Sequence, residues 1–347
     1  MGQPTAAASW HRRDLLRAGA ALGTMGAMSS LVSVTARAAD LVKVDMQLGW
    51  LVSNGLLGEI VAQNKGFFTE EGVEFSITPG GPNVDGVASV AAGRSQVGQL
   101  SSSPSLMLAR SAGIPVKAFA AGYHTHPFTY FSLSSAAIRE PKDMIGKTIA
   151  TQPTAFILAR ALLAKNGIAE DQVTLVNMGA DMGQLVNGQV QAVTGWLTNT
   201  NALKVLGPDR VDMRLWDTGI QLYANVYYAT DEQRGEHEDA LVRFLRAAAR
   251  GWDFARHNQE EAVDILVTAY PNLDRASELE AVGPVIEYSF GEATKARGWG
   301  QMTRENWQAQ SDIFAQLVQF KGTTPTVDDV MTLAVLAATK DLRMQLG

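Results

Sequence analysis

The sequence predicts an α/β protein of two lobes, with mostly parallel sheets flanked by helices and a hinged cleft between the lobes. Two observations support this fold class. Strand and helix patterns alternate from residue 41 onward, and the same strand–helix–strand–helix–strand order returns about one hundred residues later. The 347 residues are 46% apolar and 18% charged, which is enough to bury one large core or two modest ones.

The first unit of the repeat has three strands and two helices. Apolar residues alternate with polar ones at Val42, Val44, Met46 and Leu48, as is typical of a strand. Helical spacing follows, and Gly66 stands where a glycine commonly ends a helix. The patterns predict strands at 42–48, 73–77 and 96–100 and helices at 57–64 and 84–92.

The second unit repeats this order. The sequence NKGFFTEEGV at 64–73 and the sequence KNGIAEDQV at 165–173 both read as a helix end, a glycine, an acidic turn and a strand. Thr154 is predicted to cap the first helix of this unit. The patterns predict strands at 148–150, 173–176 and 190–196, a helix at 155–165 and a second helix ending near 188.

The remaining segments connect and cover the two units. Extended stretches at 118–134 and 222–230 are the predicted crossovers between lobes. An apolar stripe from Leu241 to Ala255 predicts a long C-terminal helix, and Thr326 is predicted to open the last helix. We assign residues 39–128 and 223–347 to lobe 1 and residues 129–222 to lobe 2.

The N-terminus resembles an export signal of the twin-arginine type. Arg12 and Arg13 precede a mildly apolar run at 18–34, and Ala36-Arg37-Ala38 then places small residues around a cleavage site. The alternative is an ordinary amphipathic helix. We expect residues 1–38 to be a signal that directs the chain to the periplasm.

Composition and motifs argue against several classes of function. The net charge of −6 provides no basic face for nucleic acid, and the absence of cysteine excludes disulfides, thiolate metal sites and a cysteine nucleophile. Gly146-Lys147-Thr148 imitates a phosphate-binding loop, but Pro141 replaces its first glycine and a strand follows. We expect no cofactor and no catalytic residue.

Ligands of open parallel sheets bind beyond the carboxyl ends of the strands. This rule selects the loops 50–54, 101–103, 151–156 and 196–201, which are rich in hydroxyls, amides and tryptophan. Their tryptophans are expected to hold a planar ring of the ligand. Each residue type also has a structural alternative. A tryptophan at a strand end can pack the lobes together, the serines can cap a helix, and the tyrosine at the crossover can be structural. The predicted ligand-binding residues are Trp50, Asn54, Ser101, Ser102, Ser103, Tyr123, Gln152, Thr154, Ala155, Trp196 and Asn199.

Several stretches resemble the family of type II periplasmic binding proteins for nitrate, sulfonate, taurine and thiamine precursors. They are NKGFFTEEGV at 64–73, GGPN at 80–83, VAAG at 90–93, GIPV at 113–116 and PKDMIGKTI at 141–149. The resemblance is good over residues 42–230. It implies a monomeric substrate-binding component of an ABC importer, whose partners are a small-molecule solute and a permease–ATPase complex in the inner membrane.

Within that family, Leu48-Gly49-Trp50 and Asn54 resemble the branch that binds hydroxymethylpyrimidine-type thiamine precursors. That branch carries Trp-x-Pro-Asn and then histidine, whereas here the asparagine comes one residue later and the proline is missing. Some eukaryotic relatives are pyrimidine synthases with a cysteine-rich motif, which this chain lacks. The resemblance therefore implies either a polar heteroaromatic solute or an oxyanion such as sulfonate or nitrate.

Two other functions remain open. His124 and His126 lie two apart on an extended segment, so that both can face one side and bind a metal in an exported hydrolase. No third ligand accompanies them in the sequence, and structural or exposed histidines are the simpler interpretation. A soluble sensor that presents its ligand to a membrane receptor is the other alternative.

Overall fold

The computed structural model describes residues 41–81, 84–179 and 181–346. These residues form two five-stranded sheets with helices packed around them. The predicted export signal at 1–38 lies outside the described residues. Within the described ranges, no helix combines the length and the apolar character that a membrane crossing requires.

Ten strands make up the two sheets. Six fall close to the predicted positions, three lie in or beside the stretches predicted as crossovers, and the strand at 210–214 was not predicted. In chain order they are β1 (Val42–Leu48), β2 (Val73–Thr78), β3 (Val97–Leu100), β4 (Val116–Tyr123), β5 (Phe128–Leu133), β6 (Thr148–Thr151), β7 (Thr174–Asn177), β8 (Ala192–Trp196), β9 (Arg210–Arg214) and β10 (Ala224–Thr230). The first sheet has the order β2-β1-β3-β10-β4 and the second the order β7-β6-β8-β5-β9. Each sheet therefore contains one predicted unit, and the two orders correspond strand by strand.

The chain passes between the sheets twice, once between β4 and β5 and once between β9 and β10. The strands of each predicted unit pair in parallel, whereas β10 and β5 run antiparallel to both of their neighbours. The sheets are therefore mixed, with four of the five strands in each running in the same direction. The reason is that β5 and β10 arrive from the other sheet, so no βαβ crossover holds them parallel to a neighbour. The lobe boundaries drawn from the sequence stay a prediction.

Sixteen helices surround the sheets in the described part of the chain. They are α1 (Leu57–Asn64), α2 (Phe67–Glu70), α3 (Gly86–Ala91), α4 (Ser103–Ser111), α5 (Phe156–Lys165), α6 (Gly183–Val186), α7 (Thr200–Leu203), α8 (Asp231–Glu236), α9 (Glu238–His257), α10 (Gln259–Ala269), α11 (Arg275–Ser289), α12 (Glu292–Arg297), α13 (Arg304–Gln316), α14 (Val327–Val330), α15 (Ala334–Ala338) and α16 (Lys340–Gln345).

Helix α9 is the long C-terminal helix predicted from its apolar stripe, and the residues of that stripe are buried. It crosses α1 at very short range through two glycines. A Cβ on Gly251 would lie 2.0 Å from the carbonyl oxygen of Gly58, and a Cβ on Gly58 would lie 2.2 Å from the ring of Trp252. Glycine is therefore required at both positions, and the crossing fixes α1 and the loop before it against the first sheet.

Two predictions about helix ends need correction. Thr154 does not cap α5, because it lies inside a 3₁₀ turn, Pro153–Ala155, that precedes the helix, and no side chain caps that turn or the helix. Thr326 does cap a helix and forms a capping box with Asp329. That helix, α14, is only four residues long, and α15 and α16 follow it, so it is not the last one.

Candidate functional site

Two of the four predicted loops meet across the gap between the sheets. The Asn54 side chain donates from Nδ2 to the carbonyl oxygen of Thr198 over 3.1 Å. Asn54 opens a 3₁₀ turn whose N-cap is Ser53, the hydroxyl of which accepts the Gly55 N–H over 3.3 Å. This local cap holds the asparagine at the start of the turn, and so the loop 50–54 contacts the loop 196–201.

Aromatic side chains from both sheets form a wall at this meeting point. The ring centroids of Tyr123, the last residue of β4, and Trp196, the last residue of β8, are 5.9 Å apart. His126, in the first crossover, lies 5.6 Å from Trp196 at an interplanar angle of 72°. Tyr288 from α11 stacks on Tyr123, with ring centroids 6.1 Å apart and an interplanar angle of 30°. We call Tyr123, His126, Trp196 and Tyr288 the aromatic wall.

Two buried polar atoms of this wall, and two of other residues, lack a hydrogen-bond partner among the described residues. They are Ser102 Oγ, Tyr123 OH, His126 Nε2 and Tyr130 OH. Buried polar groups are almost always paired in folded proteins, and an unpaired one costs about 1–3 kcal/mol. The two unpaired atoms on the wall therefore indicate a place where another molecule, either a ligand or water, completes the bonding.

The His126 ring is a neutral donor. Its Nδ1 accepts the backbone N–H of Phe128 over 3.1 Å, so the proton of the neutral ring is on Nε2. Burial lowers the pKa of His126 to about 3, although the nearby Ser101 backbone favours the charged form. The Nε2–H group can thus donate to a ligand acceptor without adding charge.

The tyrosine hydroxyls are also neutral. Burial raises the pKa of Tyr123 well above its usual value, and the carboxyls of Glu59 and Glu278 raise it further. Burial likewise raises the pKa of Tyr130. The four atoms therefore offer donors and acceptors, but they carry no charge of either sign.

The two histidines of the metal alternative have different surroundings. His124 Nδ1 is 2.9 Å from Gln301 Nε2, and its ring lies near Trp216 and Tyr223. The ring of His126 instead faces Phe128 and Trp196. In the ranges that the structure describes, no three His, Cys, Asp or Glu side chains are grouped so that they could hold a metal ion.

The other predicted residues of lobe 1 differ in exposure and in whether their side chains are already hydrogen-bonded within the protein. Trp50 is 36% exposed, and its carbonyl oxygen accepts the Gly80 N–H over 3.1 Å. Ser101 is half-buried. Ser103 is fully buried, and its hydroxyl bonds to Gln310 and accepts the Tyr223 N–H. Ser103 thus holds the start of α4 in place, and Ser102 is the serine of this group with an unpaired hydroxyl.

The predicted residues of lobe 2 lie at the ends of neighbouring strands. Thr151, the last residue of β6, and Thr194, in the middle of β8, share a hydrogen bond of 2.7 Å between their hydroxyls. Gln152 donates from Nε2 to the Gly179 carbonyl over 3.1 Å. Thr154 and Asn199 are exposed and Ala155 is buried, and the Asn199 N–H donates to the carbonyl oxygen of Trp196 over 3.0 Å.

Sequence reasoning missed two acidic residues near the wall. Glu59 in α1 is fully buried, and its Oε1 accepts the Tyr227 hydroxyl. Burial raises its pKa to about 8, so this side chain is mostly protonated at neutral pH. Glu278 in α11 accepts a hydrogen bond from Asn54 over 2.8 Å. Glu59 could have been recognised from the sequence, because it is an acidic residue within the apolar stretch Leu57 to Ala62. Glu278 could not, because its partner Asn54 lies 224 positions away in the chain.

A cavity of about 540 Å³ lies between the second sheet and α11. Leu197, Thr200 and Tyr288 line it on the side of the aromatic wall, and Lys204, Arg210 and Arg214 are its basic residues. Each basic side chain pairs with a nearby acid, namely Glu280, Asp212 or Asp217. The positive charge of this cavity is therefore largely balanced.

Comparison with known sequences identifies relatives of two kinds. The model of the family described as NMT1/THI5-like matches residues 54–262. The formylaminopyrimidine-binding protein of Halalkalibacterium halodurans is 28% identical over 244 residues, 68% of this chain and 72% of that protein. The 4-amino-5-hydroxymethyl-2-methylpyrimidine phosphate synthase of Schizosaccharomyces pombe is 26% identical over 225 residues, and the match spans 59% of this chain and 63% of the synthase.

Comparison with solved structures identifies the fold. The alkanesulfonate-binding protein SsuA of Xanthomonas axonopodis pv. citri, bound to MOPS, superposes with a TM-score of 0.64 at 15% identity. The superposition covers 85% of this chain and 99% of SsuA. The chain thus has the two-lobed fold of periplasmic binding proteins, as its sequence predicts.

Proposed function

Because the chain belongs to the NMT1/THI5-like family, we propose that it is the solute-binding component of an ABC importer and that it captures a small polar heteroaromatic molecule. The binding place is the gap between the two sheets, against the aromatic wall. The observation that carries this proposal is that an aromatic surface built from both sheets carries two polar atoms, Tyr123 OH and His126 Nε2, that are unpaired among the described residues.

The wall suits a flat ring. Aromatic pairs prefer offset or edge-to-face arrangements with centroids about 4.5–7 Å apart, and the half-buried Trp196 offers such a surface at the end of β8. Hydrogen bonds to the ring heteroatoms or substituents would satisfy the hydroxyls and the His126 Nε2–H. A heteroaromatic solute would therefore gain both apolar burial and the completion of otherwise unpaired groups.

The electrostatics favour a neutral ring over an oxyanion. Burial keeps His126 uncharged, and it keeps the hydroxyls of Tyr123 and Tyr130 protonated. A sulfonate or nitrate would bring a negative charge into this group of atoms, and a buried charge requires a partner. The basic side chains of the neighbouring cavity are already engaged with acids.

Lobe closure provides the mechanism of capture. Asn54 and Thr198 come from opposite sides of the gap and are bonded to each other, and the two crossovers are the positions about which the sheets can rotate. A ring that contacts Tyr123 and Trp196 together binds the closed form better than the open one. That difference in affinity drives closure.

The remaining parts of the proposal concern location and partners. The Arg12-Arg13 pair and the apolar run after it support export to the periplasm by a twin-arginine-type signal. The partner would be a permease–ATPase complex in the inner membrane, with the chain acting as a monomer. The absence of cysteine supports a binding role over a synthase activity that depends on a cysteine-rich motif.

A thermal-shift screen tests this function. The panel is 4-amino-5-hydroxymethyl-2-methylpyrimidine, MOPS, taurine and nitrate, each added to the purified protein. A ligand at 100 times its dissociation constant stabilises the folded protein by about 2.7 kcal/mol. We expect the pyrimidine to raise Tm and the three compounds that carry a sulfonate or nitrate group to leave it unchanged. A shift with those three compounds alone would reject the proposal.

A further inference from the structure

Helix α11 contacts structure on both sides of the gap between the sheets. On one side it packs against α10 and the 3₁₀ turn 54–56, which belong to the layer around the first sheet. On the other side it contacts α7, the short helix that follows β8 of the second sheet. When the two layers separate, the contact between α11 and α7 has to break.

The contact between α11 and α7 is polar. The Thr200 hydroxyl donates to the carbonyl oxygen of Ser277 over 2.9 Å. Lys204, just after α7, donates from Nζ to Ser277 Oγ over 3.3 Å and pairs with Glu280 Oε2 at 3.2 Å. We call Thr200, Lys204, Ser277 and Glu280 the clasp.

The bond from Thr200 is the strongest part of the clasp. Ser277 is 3% exposed and Thr200 is half-buried, and a hydrogen bond shielded from water is stronger than an exposed one. The side chains of Lys204 and Glu280 are 45% and 55% exposed, and an exposed ion pair contributes little stability. The Thr200 hydroxyl is therefore the group whose removal tests the clasp.

Both ends of α11 are held in place. At its N-terminus, Asp274 accepts the Ser277 N–H over 2.9 Å and the Ser277 hydroxyl over 2.6 Å. Near its C-terminus, the Tyr288 carbonyl oxygen accepts the backbone N–H of His124 over 3.0 Å, and the Tyr288 ring stacks on Tyr123. Helix α11 therefore connects the first crossover, about which the sheets can rotate, to the contact with α7.

From this geometry we propose that the clasp holds the gap closed and sets the rate at which a bound solute leaves. Each of its bonds joins two protein groups, so it stabilises the closed form whether or not a solute is bound. Opening requires the clasp to break, whatever the chemistry of the solute. The inference rests on the proposed function only in placing the solute in this gap.

A distance measurement tests the clasp without a solute. The chain has no cysteine, so spin labels attach only at the introduced residues of a Glu74→Cys/Thr174→Cys protein. Both positions are exposed, and they lie on β2 and β7, the edge strands farthest from the crossover strands in each sheet. In pulsed electron paramagnetic resonance, Thr200→Val should raise the ratio of open to closed molecules by about threefold to tenfold, because one hydrogen bond is lost.

Release kinetics provide the second readout. In stopped-flow experiments with 4-amino-5-hydroxymethyl-2-methylpyrimidine, Thr200→Val should dissociate about threefold to tenfold faster than the wild-type protein. Thr200→Ser keeps the hydroxyl and should restore the wild-type rate. Thr294→Val is the matched control, because its hydroxyl donates to the Gly291 carbonyl oxygen at the start of α12 over 2.7 Å, and it should keep the wild-type rate and distances.

The outcomes separate the clasp from the function. Distances in the solute-free Thr200→Val protein equal to those of the wild type, or an equal dissociation rate, would overturn the clasp and leave the binding function standing. Melting temperatures show that each variant folds, and Thr200→Ala removes the same hydroxyl if Thr200→Val does not fold. If the pyrimidine did not bind the wild-type protein, the pyrimidine-binding function would fall, and the labelled distances would still decide the clasp.

Discussion

The ring of Tyr123 lies 5.9 Å from the ring of Trp196, although the two residues end strands of different sheets. This pair therefore joins the two halves of the molecule where the strand ends face each other. Tyr123 is fully buried and its hydroxyl is unpaired, while Trp196 is half-buried. A rigid surface on one side and an accessible ring on the other is a suitable arrangement for holding a flat solute.

Replacing Trp196 tests the aromatic wall. Trp196→Ala should weaken binding of 4-amino-5-hydroxymethyl-2-methylpyrimidine by about 1–3 kcal/mol, because the ring contact and its buried area are lost. Calorimetric titration measures this change. Trp50→Ala is the matched comparison, since Trp50 is exposed, and it should cost less affinity. Equal affinities for the wild-type protein and Trp196→Ala would remove Trp196 from the site.

Affinity for the neutral form of the pyrimidine should not change between pH 5 and pH 8. Burial lowers the pKa of His126 to about 3, so its ring stays neutral and Nε2–H remains a donor throughout this range. Calorimetry in two buffers of different ionisation enthalpy should also detect no proton uptake on binding. A tenfold loss of affinity with a midpoint near the ordinary histidine pKa of about 6.5 would contradict this assignment.

Stability should decrease as pH rises because of Glu59. Burial raises the pKa of this carboxyl from 4.5 to about 8 in the folded protein. The folded state therefore binds more protons than the unfolded state between these values, and the stabilisation present below pH 4.5 is lost as pH rises through 8. In thermal melts from pH 5 to pH 9, Glu59→Gln should reduce the slope of Tm against pH.

The exposed Glu74 provides the control for that experiment. Glu74→Gln should leave the wild-type slope of Tm against pH unchanged. A Glu59→Gln protein whose melting temperature depends on pH as steeply as that of the wild type would show that Glu59 is not the group responsible.

The crossing of α1 and α9 should not tolerate a side chain. In Gly251→Ala the new Cβ would meet the Gly58 carbonyl oxygen at 2.0 Å, so the helices must separate, at a cost of about 1–3 kcal/mol or more. Gly235→Ala is the matched control, because Gly235 is an exposed residue of α8 and a Cβ there meets no neighbouring atom within 4 Å in the described chain. That change should stabilise by about 0.5–1 kcal/mol. Urea unfolding measures the free energy of unfolding of both variants, and equal changes would contradict the close packing of α1 against α9.

Local patterns were sufficient to predict most of the fold. The alternation at Val44, Met46 and Leu48 and the glycine at 66 gave β1 and the end of α1 close to their observed positions. The antiparallel entry of β5 and β10 was not predicted, because strand direction depends on how the chain crosses between sheets. The prediction that Thr154 caps a helix was wrong because Pro153, one residue earlier, starts a 3₁₀ turn that includes Thr154.

The site was predictable only in outline. The strand-end rule selected the loops of Asn54 and Trp196, and the described structure brings these two loops together. It gave no means to recognise Glu278, whose partner lies 224 positions away, or the unpaired Tyr130 hydroxyl inside β5. Long-range contacts and missing hydrogen-bond partners are properties of the folded chain and leave no local pattern.

A crystal structure of the protein saturated with 4-amino-5-hydroxymethyl-2-methylpyrimidine tests the central claim most directly. We predict one molecule in the gap between the sheets, with its ring in van der Waals contact with Trp196 and a ring or substituent atom accepting from His126 Nε2 over about 2.7–3.2 Å. A pyrimidine bound on an outer face of either sheet, with the aromatic wall unoccupied, would contradict the account.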